Sequence, residues 1–390
     1  MSKRVYLFLL FLLLFIDEKF FFITQGLDWR YSMVFLSAFF FVYVKKTRNV
    51  NYSFKPFINL YVLMLIISAF MVFYRGVSPV DTIIRSYMLL LPILLYVPMT
   101  NIGVRFGTNS LLNLMVSFSK LVSLILLFQS LGIINVINSD VLSTRNDSMR
   151  SFIGTYAMML GAIILFYRVL FEKQKKKWQI FIWIALNIIC IFYVNQSRST
   201  IFALIGAFAL LLYFKYSQLI KKTGVIGNAL KILAIVFVVY YSYSLVNNIV
   251  NLSISSGEAS SLIRLEAYRY YFSKFLSYPI LGVGLSNVNS LINDGIVNKL
   301  YVDDIGIVGY IAQTGLMGIF VVVVFVKQYL AGIKQLSSNH HKLFSSIGLM
   351  IVLLLPFNSL LSTDSSIIYV VFILSSLTAS IHNERIYSSY

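Results

Sequence analysis

Twelve long apolar stretches dominate this sequence of 390 residues. A helix that crosses a bilayer needs about 20 mostly apolar residues. Of all residues 59% are hydrophobic and 12% are charged, whereas about a quarter of a soluble domain is charged. The sequence therefore excludes an ordinary soluble enzyme and predicts an all-α integral membrane protein, with residues 1–390 as one polytopic membrane domain. The predicted spans are 5–23, 31–44, 57–74, 83–99, 111–134, 151–171, 178–195, 200–214, 229–247, 305–326, 343–361 and 366–381.

The basic residues predict which side of the membrane each loop faces, because positive residues near helix ends resist translocation. With the N-terminus inside, 20 of the 32 basic residues fall on the inner side and are joined there by only Glu172 and Glu384. The outer side then has 11 basic and 12 acidic residues, and Lys120 lies within a span. The net charge of +18 thus reports orientation, and no nucleic-acid partner is predicted. Both termini are predicted to be cytoplasmic.

The two basic residue types are divided unequally between the sides. The inner set has 15 Lys and 5 Arg, and the outer set has 8 Arg and 3 Lys. The planar arginine fork binds phosphate and carboxylate groups through two hydrogen bonds, whereas lysine is a hydrated point charge. The outer face is therefore predicted to bind anions. The alternative is that each arginine pairs with an outer carboxylate or a lipid headgroup. The outer arginines are Arg30, Arg75, Arg85, Arg145, Arg150, Arg198, Arg264 and Arg269.

No metal site or cofactor is predicted. The single cysteine, Cys190, lies in an apolar run, and the three histidines, His340, His341 and His382, all fall on the inner side. Adjacent side chains diverge and no carboxylate lies near His340 and His341 in the sequence, so a solvated loop is expected there. A base acting on the outer face would have to be a carboxylate.

The outer loop at 248–304 is the only loop large enough to fold outside the bilayer. Ser260 and Ser261 are candidate caps of a helix over 262–276, which would end before Pro279. The density of aromatic residues favours a position at the membrane surface. Gly282 and Gly284 then permit a tight turn or the close approach of a ligand to the backbone.

Two polar sites flank this region. Asp303 and Asp304 stand at the start of the tenth predicted span, where they either cap the helix or take part in catalysis. The segment 195–200 is a polar hairpin between two spans and holds Arg198 close to the membrane surface. It suits a lipid-linked phosphate there, and the alternative is an ordinary polar turn.

Three stretches carry a resemblance to a known family. They are Ser197-Arg198-Ser199 followed by Ile201-Phe202-Ala203-Leu204, then Arg264-Leu265-Glu266-Ala267-Tyr268 with Tyr278-Pro279-Ile280-Leu281-Gly282-Val283-Gly284-Leu285, and Asp303-Asp304 followed by Gln313-Thr314-Gly315-Leu316-Met317-Gly318. Their order and spacing resemble those of the O-antigen ligase and polymerase family of bacterial membrane proteins. Ligases of that family carry a histidine eleven residues before a Gly-x-x-Gly pair. Here that position is Asp304, which favours the polymerase branch, as in capsule or exopolysaccharide assembly.

The resemblance implies a metal-independent glycosyl transfer on the outer face of the cytoplasmic membrane. The substrates would be oligosaccharides linked to undecaprenyl diphosphate, and a chain-length regulator and a flippase are candidate partners beside the lipid bilayer. The implied catalytic residues are Asp303, Asp304, Arg198 and Arg264. The implied substrate-binding residues are Arg269, Arg75, Arg85, Tyr268, Gly282 and Gly284. Two alternatives stay open at this point. One is a ligase of the same family, and the other is a flippase or transporter, which should place ionisable residues near the bilayer midplane, where Lys120 and Arg85 are the candidates.

Overall fold

The computed structural model describes residues 2–18, 37–40, 44, 50–74, 89–134, 143–145, 148–151, 153–173, 177–222, 259–285, 305–358, 360–362 and 364–388. The predicted span 229–247 lies entirely outside these residues, as do most of 31–44, the start of 83–99 and the end of 5–23. The same holds for most of the predicted outer loop, of which only 259–285 is described.

The described residues are largely helical, because a helix satisfies all of its backbone hydrogen bonds within one segment and so tolerates lipid. The helices are α1 (Lys3–Asp17), α2 (Lys55–Tyr74), α3 (Tyr96–Phe106), α4 (Thr108–Ser130), α5 (Thr155–Phe171), α6 (Lys177–Ile189), α7 (Arg198–Lys222), α8 (Ala259–Ser277), α9 (Gly306–Lys334), α10 (Ser338–Leu354) and α11 (Asp364–Ser388). Seven helical stretches in the described part are long and apolar enough to cross a membrane. An integral membrane protein is thereby supported, and the number of twelve spans and their sidedness stay predictions.

Several helix bounds differ from those of the predicted spans. The span at 151–171 begins only at Thr155, because Gly154 has a left-handed backbone with φ 68°. The span at 343–361 ends at Leu354, shortly before Pro356, which has no N–H to continue the helix. The span at 305–326 continues to Lys334 and is interrupted at Gly315.

The described residues are all-α, as predicted, apart from one short antiparallel hairpin in a loop, in which β1 (Ser143–Arg145) pairs with β2 (Ser148–Arg150). One prediction is corrected in the loops. The loop helix predicted over 262–276 is α8, which begins at Ala259. Ser260 and Ser261 therefore lie inside the first turn of α8 and do not precede it as caps.

The centre of the bundle is α5, which packs against α4, α6 and α7. Gly161 allows α4 to approach α5 closely, since any side chain there would collide with Ser119, as is usual where membrane helices meet. Around this centre, α11 packs on α3, α10 on α7, and α9 on both α2 and α8. Residues 366–381 of α11 are all buried.

Helix ends that the charge pattern assigns to the inner side contact each other. The Cζ atom of Arg105 lies 6.0 Å from the centroid of the Tyr6 ring. Nδ1 of His340 lies 2.9 Å from Oε1 of Glu384 and 3.0 Å from Oγ of Ser380. The expectation of a solvated loop without a nearby carboxylate is therefore wrong, because α10 includes His340 and α11 folds back to bring Glu384 beside it.

Candidate functional site

The segment that leads into Arg198 has an unusual backbone. After α6 the chain forms a π-helix over Cys190–Asn195, a rare form that is frequent at functional sites. Gln196 then adopts a left-handed conformation with φ 52°. Nδ2 of Asn195 donates to Oγ1 of Thr155 at 2.5 Å, so the π-helix is fixed to the start of α5. The sequence predicted a short hairpin here, and the structure places Arg198 at the first residue of α7.

The first residues of the connection between α10 and α11, 355–358, lie against this segment, at the end of the bundle that the charge pattern assigns to the outer side. Oγ of Ser199 donates to Oδ1 of Asn358 at 3.3 Å, and Nδ2 of Asn358 donates to the Tyr156 hydroxyl at 3.0 Å. The amide thus links the starts of α7 and α5. We call residues 355–358 the outer connection.

The start of α9 lies on the same outer connection. The N–H of Ile307 donates to the carbonyl of Leu355 at 2.8 Å. Gly306, with φ 53°, has no room for a side chain, because a Cβ atom there would meet the carbonyls of Leu355 and Pro356. The outer connection therefore fixes the backbone immediately after the predicted Asp303-Asp304 pair.

Helix α8 reaches the outer connection through a predicted substrate-binding residue. The Tyr268 hydroxyl donates to the carbonyl of Pro356 at 2.9 Å. Ala267 and Tyr271 of α8 are buried against Ile305 and Ala312 at the start of α9. The opposite face of α8 leaves Leu265, Phe272 and Leu276 exposed. That apolar face is in keeping with the predicted position at the membrane surface.

A turn of eight residues, 278–285, follows α8 and inserts between α9 and α2; we call it the glycine turn. Gly282 and Gly284 both have positive φ, 68° and 92°. A Cβ atom at Gly282 would collide with the backbone of Gln313, and one at Gly284 with Val72. The two glycines therefore serve a close approach between backbone segments in this structure. The N–H of Leu285 also donates to Oγ of Ser68 at 2.5 Å.

The glycine turn supplies hydrogen bonds that α9 lacks. At Gly315 the helix is broken, with φ 64° and ψ −154°, a combination that is essentially restricted to glycine. The N–H groups of Val283 and Gly284 donate to the carbonyls of Ala312 (3.0 Å) and Gln313 (2.8 Å). In return, the N–H of Leu316 donates to the carbonyl of Pro279 at 2.8 Å. A broken helix is tolerated at membrane depth where other protein groups satisfy its backbone, as they do here.

Gln313 lies two residues before the break and is fully buried. Neither atom of its side-chain amide has a hydrogen-bond partner among the described residues. Buried polar groups are nearly always hydrogen-bonded. In the sequence, Gln313 belongs to the stretch Gln313–Gly318 that carries the family resemblance, but it was not selected as a site residue.

A buried carboxylate that the sequence analysis did not select lies at the same end of the bundle. Oε2 of Glu18 accepts a hydrogen bond from the N–H of Gly154 at 2.5 Å, and Oε1 accepts one from the Tyr369 hydroxyl. The Tyr156 and Tyr369 rings lie 6.0 Å apart between centroids. Glu18 is only 5% exposed. Its position just after the apolar run of α1 was the only signal in the sequence.

The predicted site residues divide into three groups. Asp303, Asp304, Arg75 and Arg85 lie outside the described residues. Arg198 and Arg264 are placed by their backbone, at the first residue of α7 and four residues before Tyr268 in α8. Arg269 is exposed on α8, and Tyr268, Gly282 and Gly284 lie at the contacts described above. The roles of all these residues stay predictions.

Together, the fold and this end of the bundle define a multi-pass membrane protein with a polar site built where its helices begin and end. Residues 180–323 match a family model described as O-antigen ligase. The match runs from α6 into α9 and covers all three stretches that carried the resemblance. The match supports the predicted resemblance to the O-antigen ligase and polymerase family over this part of the chain. No curated protein matches the chain.

Proposed function

We propose that this protein joins undecaprenyl-diphosphate-linked oligosaccharide repeat units into a polysaccharide on the outer face of the cytoplasmic membrane. The observation that carries the proposal is the outer connection. It contacts the start of α7 beside Arg198, the helix that bears Arg264, and the backbone that follows Asp304. Three segments that are distant in sequence thus meet at one end of the bundle, as a site for two large lipid-linked substrates requires.

In the proposed reaction, a hydroxyl of the acceptor repeat unit attacks the anomeric carbon of the donor glycan. The new glycosidic bond forms as the bond between that carbon and the diphosphate oxygen breaks, and undecaprenyl diphosphate leaves. Asp304 would take the hydroxyl proton or orient the hydroxyl, with Asp303 beside it. Arg198 and Arg264 would stabilise the negative charge that develops on the diphosphate, helped by Arg269, Arg75 and Arg85. No metal or cofactor enters this scheme.

Substrate contacts beyond the diphosphate would come from α8 and the glycine turn. Tyr268 presents an aromatic ring of the kind on which a sugar can stack, next to the outer connection. Gly282 and Gly284 keep the turn free of side chains beside α9, so that backbone lies close to the proposed site. A chain-length regulator and a flippase are the protein partners that such a polymerase would work with.

The second candidate is a ligase, which transfers a finished glycan to another acceptor. The description of the matching family favours it. Against it stands Asp304 at the position where ligases of the family carry histidine, because a carboxylate and an imidazole differ in charge and basicity.

A deletion strain tests the proposal. Loss of a polymerase leaves single repeats on the lipid, whereas loss of a ligase leaves long chains that are not attached. Lipid-linked repeats trapped on the cytoplasmic side would instead indicate a flippase. Complementation with Arg198→Ala or Arg264→Ala should fail to restore long chains although the variants reach the membrane, and Arg105→Ala, at the opposite end of the bundle, should restore them. Normal chain-length ladders from both site variants would refute the site assignment.

A further inference from the structure

Glu18 is an acidic side chain in a place where a charge is costly. It follows the last turn of α1 and is 5% exposed. A buried carboxylate is tolerated only when hydrogen bonds or an opposite charge replace its water. Both of its oxygens accept hydrogen bonds, from the N–H of Gly154 and from the Tyr369 hydroxyl. The carboxylate therefore joins α1 to the start of α5 and to α11.

The contact with Gly154 fixes the start of α5. Gly154 is the residue before the first turn of α5 and has φ 68°. A Cβ atom there would collide with Val122, so only glycine fits. A negative charge beside the first N–H groups of a helix is favoured by the helix dipole. Glu18 thus anchors Gly154, which precedes the first turn of α5 and lies two residues before Tyr156.

The hydrogen bond between Glu18 and Tyr369 reaches Tyr156 by a second route, through the Tyr369 ring. The Tyr369 ring packs against the Tyr156 ring at 6.0 Å between centroids, with 40° between the ring planes. Tyr156 is thereby held both by its own backbone and by a neighbouring ring. The Glu18 carboxylate hydrogen-bonds to both supports, at the Gly154 N–H and at the Tyr369 hydroxyl.

From Tyr156 the contacts continue to the candidate site. Its hydroxyl accepts from Nδ2 of Asn358 at 3.0 Å, and Oδ1 of Asn358 accepts from Oγ of Ser199 at 3.3 Å. Ser199 directly follows Arg198. A side chain at the end of α1 is thus connected to the start of α7 by an unbroken series of packed and hydrogen-bonded groups.

We propose that Glu18 is a positioning residue for the glycosyl transfer, which holds Tyr156 and Asn358, and through them the start of α7, in their working arrangement. The inference rests on the function proposed above. It assigns a role to a residue that does not touch substrate, and it predicts that the carboxylate controls the rate of reaction more than the binding of substrate.

The test uses the full-length protein in lipid nanodiscs, with lipid-linked single repeats extracted from the deletion strain as substrate. Glu18→Gln keeps the shape of the side chain but has only one acceptor oxygen for two donors. We expect kcat per folded enzyme to fall by about 10- to 100-fold, because small misplacements of reacting groups cost about that much, with KM little changed. Glu172→Gln, a partly exposed carboxylate at the other end of α5, is the matched control and should keep full activity.

A double variant separates positioning from a purely structural role. If Glu18 acts through Asn358 and Ser199, Glu18→Gln combined with Ser199→Ala should be little worse than the poorer single variant, because coupled residues are not additive. If Glu18 only holds the helices together, fewer molecules fold, kcat per folded enzyme stays at the wild-type value, and the proposal is overturned.

The activity of the wild-type protein distinguishes failure of the proposed function from failure of the Glu18 proposal. A wild type that forms no polymer from lipid-linked repeats overturns the proposed function together with this inference. A wild type that polymerises, beside a Glu18→Gln variant of equal kcat, overturns the role of Glu18 alone. Should Glu18→Gln fail to fold, Tyr369→Phe removes a single O–H and keeps the ring; an unchanged kcat in that variant also overturns the proposal.

Discussion

Oγ of Ser199 donates a hydrogen bond to Oδ1 of Asn358 at 3.3 Å, across 159 residues of sequence. The same amide donates from Nδ2 to the Tyr156 hydroxyl. Each bond contributes about 1 kcal/mol net, which is modest for stability. In position, however, Asn358 bonds to both α5 and α7 at this end of the bundle. The placement of the start of α7 against α5 therefore rests in part on this amide.

Replacement of Asn358 by Leu should lower the unfolding free energy by about 2 kcal/mol, since two hydrogen bonds are lost, and should reduce glycan transfer by about tenfold or more through the displaced start of α7. Both are measurable, by thermal unfolding in detergent and by chain-length ladders of complemented cells. Asn383→Leu is the control, because Asn383 makes weaker contacts, to Gly103 at 3.4 Å and Thr108 at 3.5 Å, at the other end of the bundle. Equal loss of transfer in both variants would contradict the prediction.

Gly315→Ala should destabilise the protein by more than about 4 kcal/mol, a loss that only severe changes cause. The new Cβ atom would meet the carbonyl of Ile280 and the nitrogen of Gly282, at a φ of 64°. Gly107→Ala makes a matched control, because Gly107 also has a positive φ, 85°, but open space around its Cβ position. Gly107→Ala should be destabilised only by the strain of its backbone conformation, which costs about 1–3 kcal/mol. Similar midpoints of thermal unfolding for the two variants would contradict the prediction that a collision at residue 315 destabilises the protein.

Gln313→Met should stabilise the protein. The two side chains have similar volumes, and the change removes two buried polar atoms without partners among the described residues, each of which costs about 1–3 kcal/mol. Thermal unfolding of the purified protein measures the effect. Gln328→Met should instead lower the midpoint of thermal unfolding, because Oε1 of Gln328 accepts a hydrogen bond from the N–H of Phe57 at 3.3 Å. A lower midpoint for Gln313→Met would mean that residues outside the described part bind its amide.

Cysteine labelling should establish the sidedness. The native Cys190 is fully buried and gives no background. Ser277→Cys, at the exposed end of α8, should react with a membrane-impermeant maleimide in intact cells, and Lys334→Cys, at the end of α9, should react only after permeabilisation. The reverse pattern would invert the predicted topology.

Local patterns in the sequence were sufficient to predict several elements of the candidate site. The aromatic and apolar periodicity before Pro279 predicted α8 to within three residues, because the signals that start and end a helix are local. Gly282 and Gly284 after it predicted either a tight turn or the close approach of a ligand; a turn is present, and both glycines have positive φ. The signals for the helix and for the turn are local, whereas the close approach that the structure shows is to the distant residues Gln313 and Val72.

The break in α9 and the outer connection were missed for a different reason. Gly315 lies in an unbroken apolar run, and glycine is common in continuous membrane helices; the break depends on a turn some 30 residues earlier. Asn358 was placed inside a predicted span, although Pro356 signalled the end of that helix. Its partners Ser199 and Tyr156 are distant in sequence, and Glu18 likewise bonds to residues on two later helices. Such long-range pairs leave no trace in a single sequence.

The glycine turn and the broken helix also imply an order of membrane insertion. The turn precedes α9 in the chain, so the N–H groups of Val283 and Gly284 are synthesised before the carbonyls of Ala312 and Gln313 that they bind. We expect these donors to be in place beside α2 when α9 enters the bilayer. On the predicted topology, α9 would then be completed only after the preceding outer loop has crossed the membrane.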